Sequence, residues 1–246
     1  MAIYGFARLV DDIGDEADGD RPALLDRAED QLQLAFSGGA THPVFRELGH
    51  TIAACGLERG PFLDLILANR QDQRVGRYET FDELRGYCRL SADPVGRLVL
   101  AVTGSLTPER AAWSDDVCTG LQLVEHWQDV GEDARRGRVY VPQEDLRAFE
   151  VSEDQLLASA AGPQLKKLVA FECGRAQELF RAARPLAGSL HGRVRVAVSG
   201  FAAGGLAVLD AIQAADFDVL SRPARGTKGR LLVHSLRLLL GVGGTG

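Results

Sequence analysis

Apolar residues recur at intervals of three and four along almost the whole chain, and alternation of apolar and polar residues is hard to find. The first spacing places apolar side chains on one face of an α-helix, whereas alternation would indicate β-strands. The sequence therefore predicts an all-α protein. We expect a single domain over residues 1–246, because chains of this length commonly form one helical domain around one core.

The ends of the predicted helices follow from prolines in first turns and from Gly- or Pro-containing joints between periodic segments. The helices are predicted from the start to about Glu16, then over Pro22 to Ser37, Pro43 to Cys55, Pro61 to Arg70, Phe81 to Cys88, Val95 to Thr103, Pro108 to Asp133, Glu153 to Ala160, Gln164 to Ala183, Arg193 to Asp216 and Lys228 to Leu240. The segment Leu231 to Leu240 is apolar on much of its circumference. It is either a packed terminal helix, which we favour, or a shallow membrane contact.

Two acidic clusters, Asp11-Asp12-Ile-Gly-Asp15 and Asp129-Val-Gly-Glu-Asp133, each contain aspartates four residues apart. On a helix these side chains share one face at about 5–6 Å between Cβ atoms, where like charges repel. An isolated pair of this kind usually lies in solvent, but each of these pairs occurs on an otherwise apolar helix. We therefore interpret the clusters as cation sites, and carboxylate oxygens favour Mg²⁺, whose coordination is usually completed by water and substrate phosphates.

Basic residues accompany both clusters. Arg8 lies three residues before Asp11 on the same predicted helical face, and Arg138 follows the second cluster. A guanidinium can form paired hydrogen bonds with phosphate oxygens, so both arginines suit a diphosphate, although Arg8 could instead neutralise Asp11 and Asp12. The formal net charge of −6 argues against a nucleic-acid surface, which needs clustered Lys and Arg.

These motifs resemble the squalene and phytoene synthase family, head-to-head prenyl synthases whose all-α isoprenoid-synthase fold is a helical bundle around a central cavity. The matching pieces are Ile3 to Glu16, Tyr87-Cys88, Gln122 to Asp133 and Gly137 to Pro142. Three further pieces look most like the bacterial hydroxysqualene synthases of hopanoid biosynthesis: Tyr87 to Leu100, Trp127 to Asp129 and Gly204 to Ile212. Within the piece from Tyr87 to Leu100, phytoene synthases more often have Ala-Gly-Thr-Val-Gly where this chain has Ala92-Asp-Pro-Val-Gly96.

The resemblance implies Mg²⁺-dependent conversion of presqualene diphosphate into hydroxysqualene, with loss of diphosphate, a water quench of the carbocation and no NADPH. It implies metal ligands at Asp11, Asp15, Glu125, Asp129 and Asp133, although the family usually has Asn at the position of Glu125. It implies catalytic roles for Tyr4, Arg8, Tyr87, Arg138 and Tyr140. It implies substrate contacts for Arg8, Gln122, Gln128 and Arg138.

Two other functions stay open. One is prenyl transfer that joins two prenyl diphosphates into presqualene diphosphate or phytoene, and the other is a binding role for an inactive helical paralogue. Family members have a further helix before the position of Ile3, so a chain that starts at Met1 is expected to leave one wall of the pocket open. A presqualene diphosphate synthase and a squalene-forming oxidoreductase are the expected pathway partners. We expect a cytoplasmic protein with at most peripheral contact with the inner face of the membrane.

Overall fold

The structure, a computed structural model, describes residues 1–222 and 224–241. Among these residues the regular structure is helical, and the only pairing of extended backbone is an isolated bridge between Arg77 and Val139. The α-helices are α1 (Ala2–Asp15), α2 (Arg21–Ser37), α3 (Pro43–Cys55), α4 (Gly60–Asp72), α5 (Phe81–Ser91), α6 (Asp93–Val102), α7 (Pro108–Gln128), α8 (Val130–Arg135), α9 (Gln143–Ala148), α10 (Pro163–Leu179), α11 (Ala183–Ser189), α12 (Gly192–Ala214) and α13 (Lys228–Leu240). The prediction of an all-α protein is confirmed.

Three of the predicted helices are wrong in extent. The predicted helix over 108–133 is broken at Asp129, whose φ of −104° and ψ of 14° end α7 before α8 begins. The predicted helix over 153–160 is a 3₁₀ helix, Glu153–Leu157. The predicted helix over 164–183 ends at Leu179, and a 3₁₀ turn leads into α11, where Pro185 has no amide hydrogen to continue an α-helical ladder.

The helices pack around two hydrophobic cores. The first core joins α1 to α4, and within it the Phe6 ring meets Phe45 and Phe62 edge to face at centroid distances of 5.7 and 5.3 Å. The second core is built by α5 to α13 around α7, which contacts α5, α6, α10, α11 and α12 and buries Trp127. Edge-to-face pairs stabilise by about 0.5–1.5 kcal/mol beyond their buried area. The cleft described below lies where the two cores meet.

The last two described helices pack against each other. Helix α12 is long and apolar enough to span a membrane by length and composition alone, but half of its most apolar stretch is buried inside the protein. Its apolar composition is thus accounted for in part by its position in the second core. Helix α13 packs on α12, as the favoured prediction of a packed terminal helix requires, but it buries only Leu238 and leaves Leu231, Leu232, Leu236 and Leu240 exposed.

Candidate active site

A polar cleft of about 360 Å³ opens between the two cores. Its walls come from α1 and α4 on one side and from α5, α7, α8 and the following loop on the other. The lining side chains that carry charge are six carboxylates and three guanidiniums: Asp11, Asp15, Asp72, Glu125, Asp129, Asp133, Arg8, Arg136 and Arg138. The cleft therefore brings together all five predicted metal ligands, and its lining has three negative charges in excess when fully ionised.

The first acidic cluster is fixed by close packing of α1 on α4. A Cβ atom on Gly14 would lie 2.0 Å from Oδ1 of Asn69, so only glycine admits this approach. Asn69 in turn donates from Nδ2 to Oδ1 of Asp11 at 3.3 Å. At the end of α1 the Arg21 guanidinium donates to the Gly14 and Asp15 carbonyls, at 3.1 and 3.0 Å. These contacts orient Asp11 and Asp15 toward the cleft.

The second acidic cluster is held by a helix end that turns the chain back. The Asp133 amide donates to the Asp129 carbonyl at 2.9 Å, so the two aspartates keep helical spacing across the break. Gly137 has a φ of 80°, and the Arg138 amide donates to the Asp133 carbonyl, which closes a Schellman-type turn. This turn allows Nη1 of Arg138 to reach Oδ1 of Asp15 at 3.0 Å. Arg138 thus connects the two clusters.

Only some of the other predicted site residues line the cleft. Arg8 lines the cleft but pairs with Asp12 at 2.9 Å, which is the neutralising alternative. Gln122 lines the cleft, whereas Gln128 lies outside its lining and donates to Asp129 Oδ1 at 3.2 Å. Tyr4 is 70% exposed and also lies outside the lining. The structure therefore does not bring Tyr4 or Gln128 to the cleft.

One wall of the cleft is aromatic. The His126 ring stacks on Tyr140 at 3.7 Å between centroids, and Tyr87 lies 5.9 Å from Tyr140. Tyr78 stacks behind Tyr140 because the segments after α4 and α8 are tied together, with the Val139 amide donating to the Gly76 carbonyl at 2.8 Å. Burial lowers the pKa of His126 to about 3, so this imidazole is neutral. The wall therefore presents π-faces without a positive charge.

Asp72 is a site residue that the sequence analysis missed. The Tyr87 hydroxyl donates to Oδ2 of Asp72 at 2.7 Å, while Oδ1 is buried without a hydrogen-bond partner among the described residues. Burial raises the pKa of Asp72 to about 6. The signal was present in the sequence, because Asn69 and Asp72 are polar residues three positions apart at the end of an apolar helix. Ser91 and His126 also line the cleft.

Burial, together with neighbouring carboxylates, shapes the electrostatics of the cleft. Burial, and then the nearby charge of Asp129, raises the pKa of Asp133 to about 7 and also raises that of Glu125. Burial likewise raises the pKa of Asp11. Within the part of the chain that the structure describes, no group of three or more acidic, His or Cys side chains is close enough to hold a metal alone. The hard oxygen donors and the unpartnered Asp72 oxygen fit Mg²⁺, which binds one or two carboxylates and completes its shell with water and phosphates.

A second, apolar cavity of about 130 Å³ lies between α6, α7 and α12. Val99, Val117 and Leu121 line it, and Phe201 closes one side. Gly96 brings α6 close to α7, since a Cβ there would lie 2.2 Å from the Ser114 hydroxyl oxygen. A glycine at this position thus lets α6 pack closely on α7 beside the cavity.

Comparison with known proteins points to one family. The sequence profile of the Squalene/phytoene synthase family matches residues 1–230. A phytoene synthase of Arthrospira platensis is 34% identical over 238 residues, which are 91% of this chain and 77% of that protein. A hydroxysqualene synthase of Rhodopseudomonas palustris is 38% identical over 194 residues, which are 77% of this chain and 65% of that protein. The chain spans just under two thirds of the second relative.

Solved structures agree with these relatives. The squalene synthase HpnC from Alicyclobacillus acidocaldarius superposes with a TM-score of 0.84 at 47% identity, over 88% of this chain and 82% of that one. A dehydrosqualene synthase superposes with a TM-score of 0.85 over 96% of this chain and 83% of that one. At 24% identity the second match shows the fold alone. The predicted helical bundle is therefore confirmed.

Proposed function

Since the chain belongs to the squalene/phytoene synthase family, we propose that it converts presqualene diphosphate into hydroxysqualene in a Mg²⁺-dependent reaction. The observation that carries the diphosphate chemistry is the cleft in which two acidic clusters converge on Arg138. The choice of reaction is supported by the 38% identity to a hydroxysqualene synthase, against 34% to the phytoene synthase of Arthrospira platensis, and by the 47% identity to a squalene synthase, whose name favours the squalene branch over phytoene. The enzyme would cleave a carbon–oxygen bond rather than reduce a substrate.

The charge balance of the cleft supports a metal requirement. A diphosphate would enter a lining that already carries an excess of carboxylates, and like charges in a partly buried site repel strongly. Asp11 and Asp15 on one wall and Glu125, Asp129 and Asp133 on the other would hold Mg²⁺ between them and the diphosphate. When bound, Mg²⁺ neutralises the charge that develops on the leaving diphosphate.

The chain's own residues then position the two ends of the reacting bond. Arg138 lies 3.0 Å from Asp15 and can turn its remaining N–H groups toward the diphosphate oxygens. The π-faces of Tyr87, Tyr140 and the neutral His126 line the same wall of the cleft as Arg138, where they would stabilise a carbocation without adding a competing charge. The apolar cavity next to Val99 and Leu121 would accept part of the hydrocarbon chain.

The final step requires a water molecule and a proton acceptor. The oxygen of water forms the new carbon–oxygen bond, and the released proton passes through the Tyr87 hydroxyl to Asp72. The hydrogen bond of 2.7 Å between these side chains supports this path, as does the raised pKa of Asp72, near 6. A carboxylate with a pKa near 6 is still ionised at neutral pH and accepts a proton more readily than an ordinary aspartate.

The identity of the lipid product tests the proposal. Purified chain is incubated with Mg²⁺ and either presqualene diphosphate or a shorter allylic diphosphate, and the products are identified by mass spectrometry. Hydroxysqualene from the first substrate alone is the expected result. Condensation of the shorter substrate would instead support the prenyl transfer reaction, which the resemblance to named phytoene synthases favours.

The proposed substrate and product also define neighbouring reactions. Presqualene diphosphate must come from a synthase that joins two prenyl diphosphates, and hydroxysqualene must be reduced before it becomes squalene. We propose that such a synthase and an oxidoreductase act before and after this chain, on the cytoplasmic side of the membrane.

A further inference from the structure

Helix α13 exposes an unusual row of apolar side chains. Leu232, Leu236 and Leu240 follow one another at intervals of four residues and are 59%, 47% and 72% exposed. Residues four apart lie on one helical face, and Val233 on the same side is 46% exposed. The opposite face contacts the protein through the buried Leu238 and through His234, whose ring lies 2.8 Å from Asp210 on α12. The helix is therefore attached by one face and presents a second apolar face to its surroundings.

Basic residues border this exposed row. Lys228 and Arg237 lie on its two sides, and both are exposed. The sequence from residue 219 to the end contains no Asp or Glu but contains five basic residues, namely Arg222, Arg225, Lys228, Arg230 and Arg237. None of these five forms an ion pair with an Asp or Glu side chain in the described part of the chain.

The charge of this end contrasts with that of the rest of the protein. The whole chain has a formal net charge of −6, so the first 218 residues carry −11, which is −6 less the +5 of the last segment. An anionic surface would repel the body of the protein and attract only this end. An amphipathic helix with exposed leucines and a basic border is the type of helix that lies in the interface of an anionic bilayer.

We propose that α13 docks the protein on an anionic phospholipid bilayer, with Leu232, Leu236 and Leu240 in the interface and Lys228 and Arg237 on the headgroups. The proposal depends on α13 and not on the reaction in the cleft, so it can be tested without substrate. The area of contact would be small, and a single amphipathic helix of this length would bind reversibly.

Sedimentation with lipid vesicles tests the proposal. The full chain is mixed with vesicles of phosphatidylcholine or of phosphatidylcholine and phosphatidylglycerol. We expect binding to the anionic vesicles, much weaker binding to the neutral ones, and release as salt is raised, because salt screens the attraction of exposed charges. Equal binding to both vesicles, or none to either, would overturn the proposal without any substitution being made.

Substitutions on α13 give the second test. Lys228→Gln with Arg237→Gln should lower partitioning about 30-fold, as expected for two basic residues near an anionic surface. The matched control is Arg27→Gln with Arg89→Gln, which removes two exposed arginines from α2 and α5 and should leave binding close to that of the unmodified chain. Equal losses in the two variants would show that only the net charge matters, which contradicts docking through α13.

The apolar part is tested in the same way. Leu232→Ser with Leu236→Ser should lower partitioning about tenfold or more, whereas Leu34→Ser with Leu67→Ser, two exposed leucines on α2 and α4, should not. Circular dichroism checks that both variants remain helical. If the α13 variant instead converts a dimer into a monomer in light scattering and the unmodified chain ignores anionic vesicles, a second copy covers this face and the proposal is wrong.

Discussion

Replacement of Gly14 by alanine tests whether the packing of α1 on α4 holds the first acidic cluster. The new Cβ would lie 2.0 Å from Oδ1 and 3.0 Å from Cγ of Asn69, while Cβ of Asn69 is at an ordinary 3.4 Å. The Asn69 side chain must therefore turn away, and it then loses its hydrogen bonds to Asp11 and to the Leu65 carbonyl.

The expected cost of Gly14→Ala follows from these contacts. A hydrogen bond to a charged group contributes about 1.5–3 kcal/mol, and leaving a buried polar group unpaired adds to the loss. The helical preference of alanine over glycine offsets about 0.5–1 kcal/mol. We expect Gly14→Ala to lower the free energy of unfolding by about 1–2 kcal/mol, measured by urea denaturation.

A double-mutant cycle makes the test specific. In an Asn69→Ala background the clash is absent, so adding Gly14→Ala should raise stability by about 0.5–1 kcal/mol and the coupling between the sites should be about 2 kcal/mol. Gly174→Ala is the matched control, because Gly174 is an exposed helical glycine with open space around its Cβ position and should gain stability in either background. If Gly14→Ala has the same effect with and without Asn69, the steric reasoning is refuted.

Three further predictions concern the cleft and a buried carboxyl. Asp72→Asn and Tyr87→Phe should each lower kcat by about 10²–10³. The double variant should be no slower than the slower single variant, because the two side chains form one proton path, and additive losses in steady-state kinetics would contradict such a path. Mg²⁺ affinity should fall as pH is lowered through about 7, because the raised pKa of Asp133 leaves this proposed ligand protonated at lower pH. Calorimetry with a diphosphate present measures this affinity, and an affinity that does not change with pH would contradict the assignment of Asp133 as a metal ligand. Burial raises the pKa of Asp93 to about 7, above its unfolded value, so its ionisation lowers stability as pH rises from about 4 to 7. Asp93→Asn should therefore be about 2–4 kcal/mol more stable than the unmodified chain at about pH 8 but not at about pH 4, and an equal difference at both would refute the reasoning.

Helix boundaries were predictable from the sequence where local signals determine them. The predicted ends of α3 and α13 agree with the structure, because each helix ends at a glycine in the left-handed region, Gly56 with a φ of 61° and Gly241 with a φ of 68°. The break at Asp129 was not predictable in this way. Gly131 just after it packs against Leu220, whose Cδ2 would lie 2.8 Å from an added Cβ, and that contact joins residues far apart in sequence.

The same distinction applies to the cleft. Spacing alone located both acidic clusters and Arg138, because each motif is local and its residue types suit a metal and a phosphate. Spacing also predicted that Arg8 could pair with the first cluster, since its partner Asp12 is one helical turn away. Asn69 and Asp72 gave a local polar signal at the end of α4, but the contact of Asp72 with the Tyr87 hydroxyl and the stacking of Tyr78 on Tyr140 join separate segments, and no local pattern specifies such contacts.

The position of the cleft between the two cores couples the binding of a cation to the binding of a diphosphate. One wall belongs to the core of α1 to α4 and the other to the core around α7. The ion pair between Arg138 and Asp15 joins the two walls. Glu125 and Asp11 belong to opposite walls; burial raises the pKa of Glu125 most, and the charges of Asp129 and then Asp11 raise it further. Ionisation of both carboxyl groups therefore weakens the contact between the walls, because it brings like charges together in a partly buried space. A bound cation would relieve this repulsion and would still have coordination positions free for phosphate oxygens. A diphosphate could occupy those positions only when cations are already bound. The two ligands should therefore bind cooperatively, each raising the affinity of the other by the same factor.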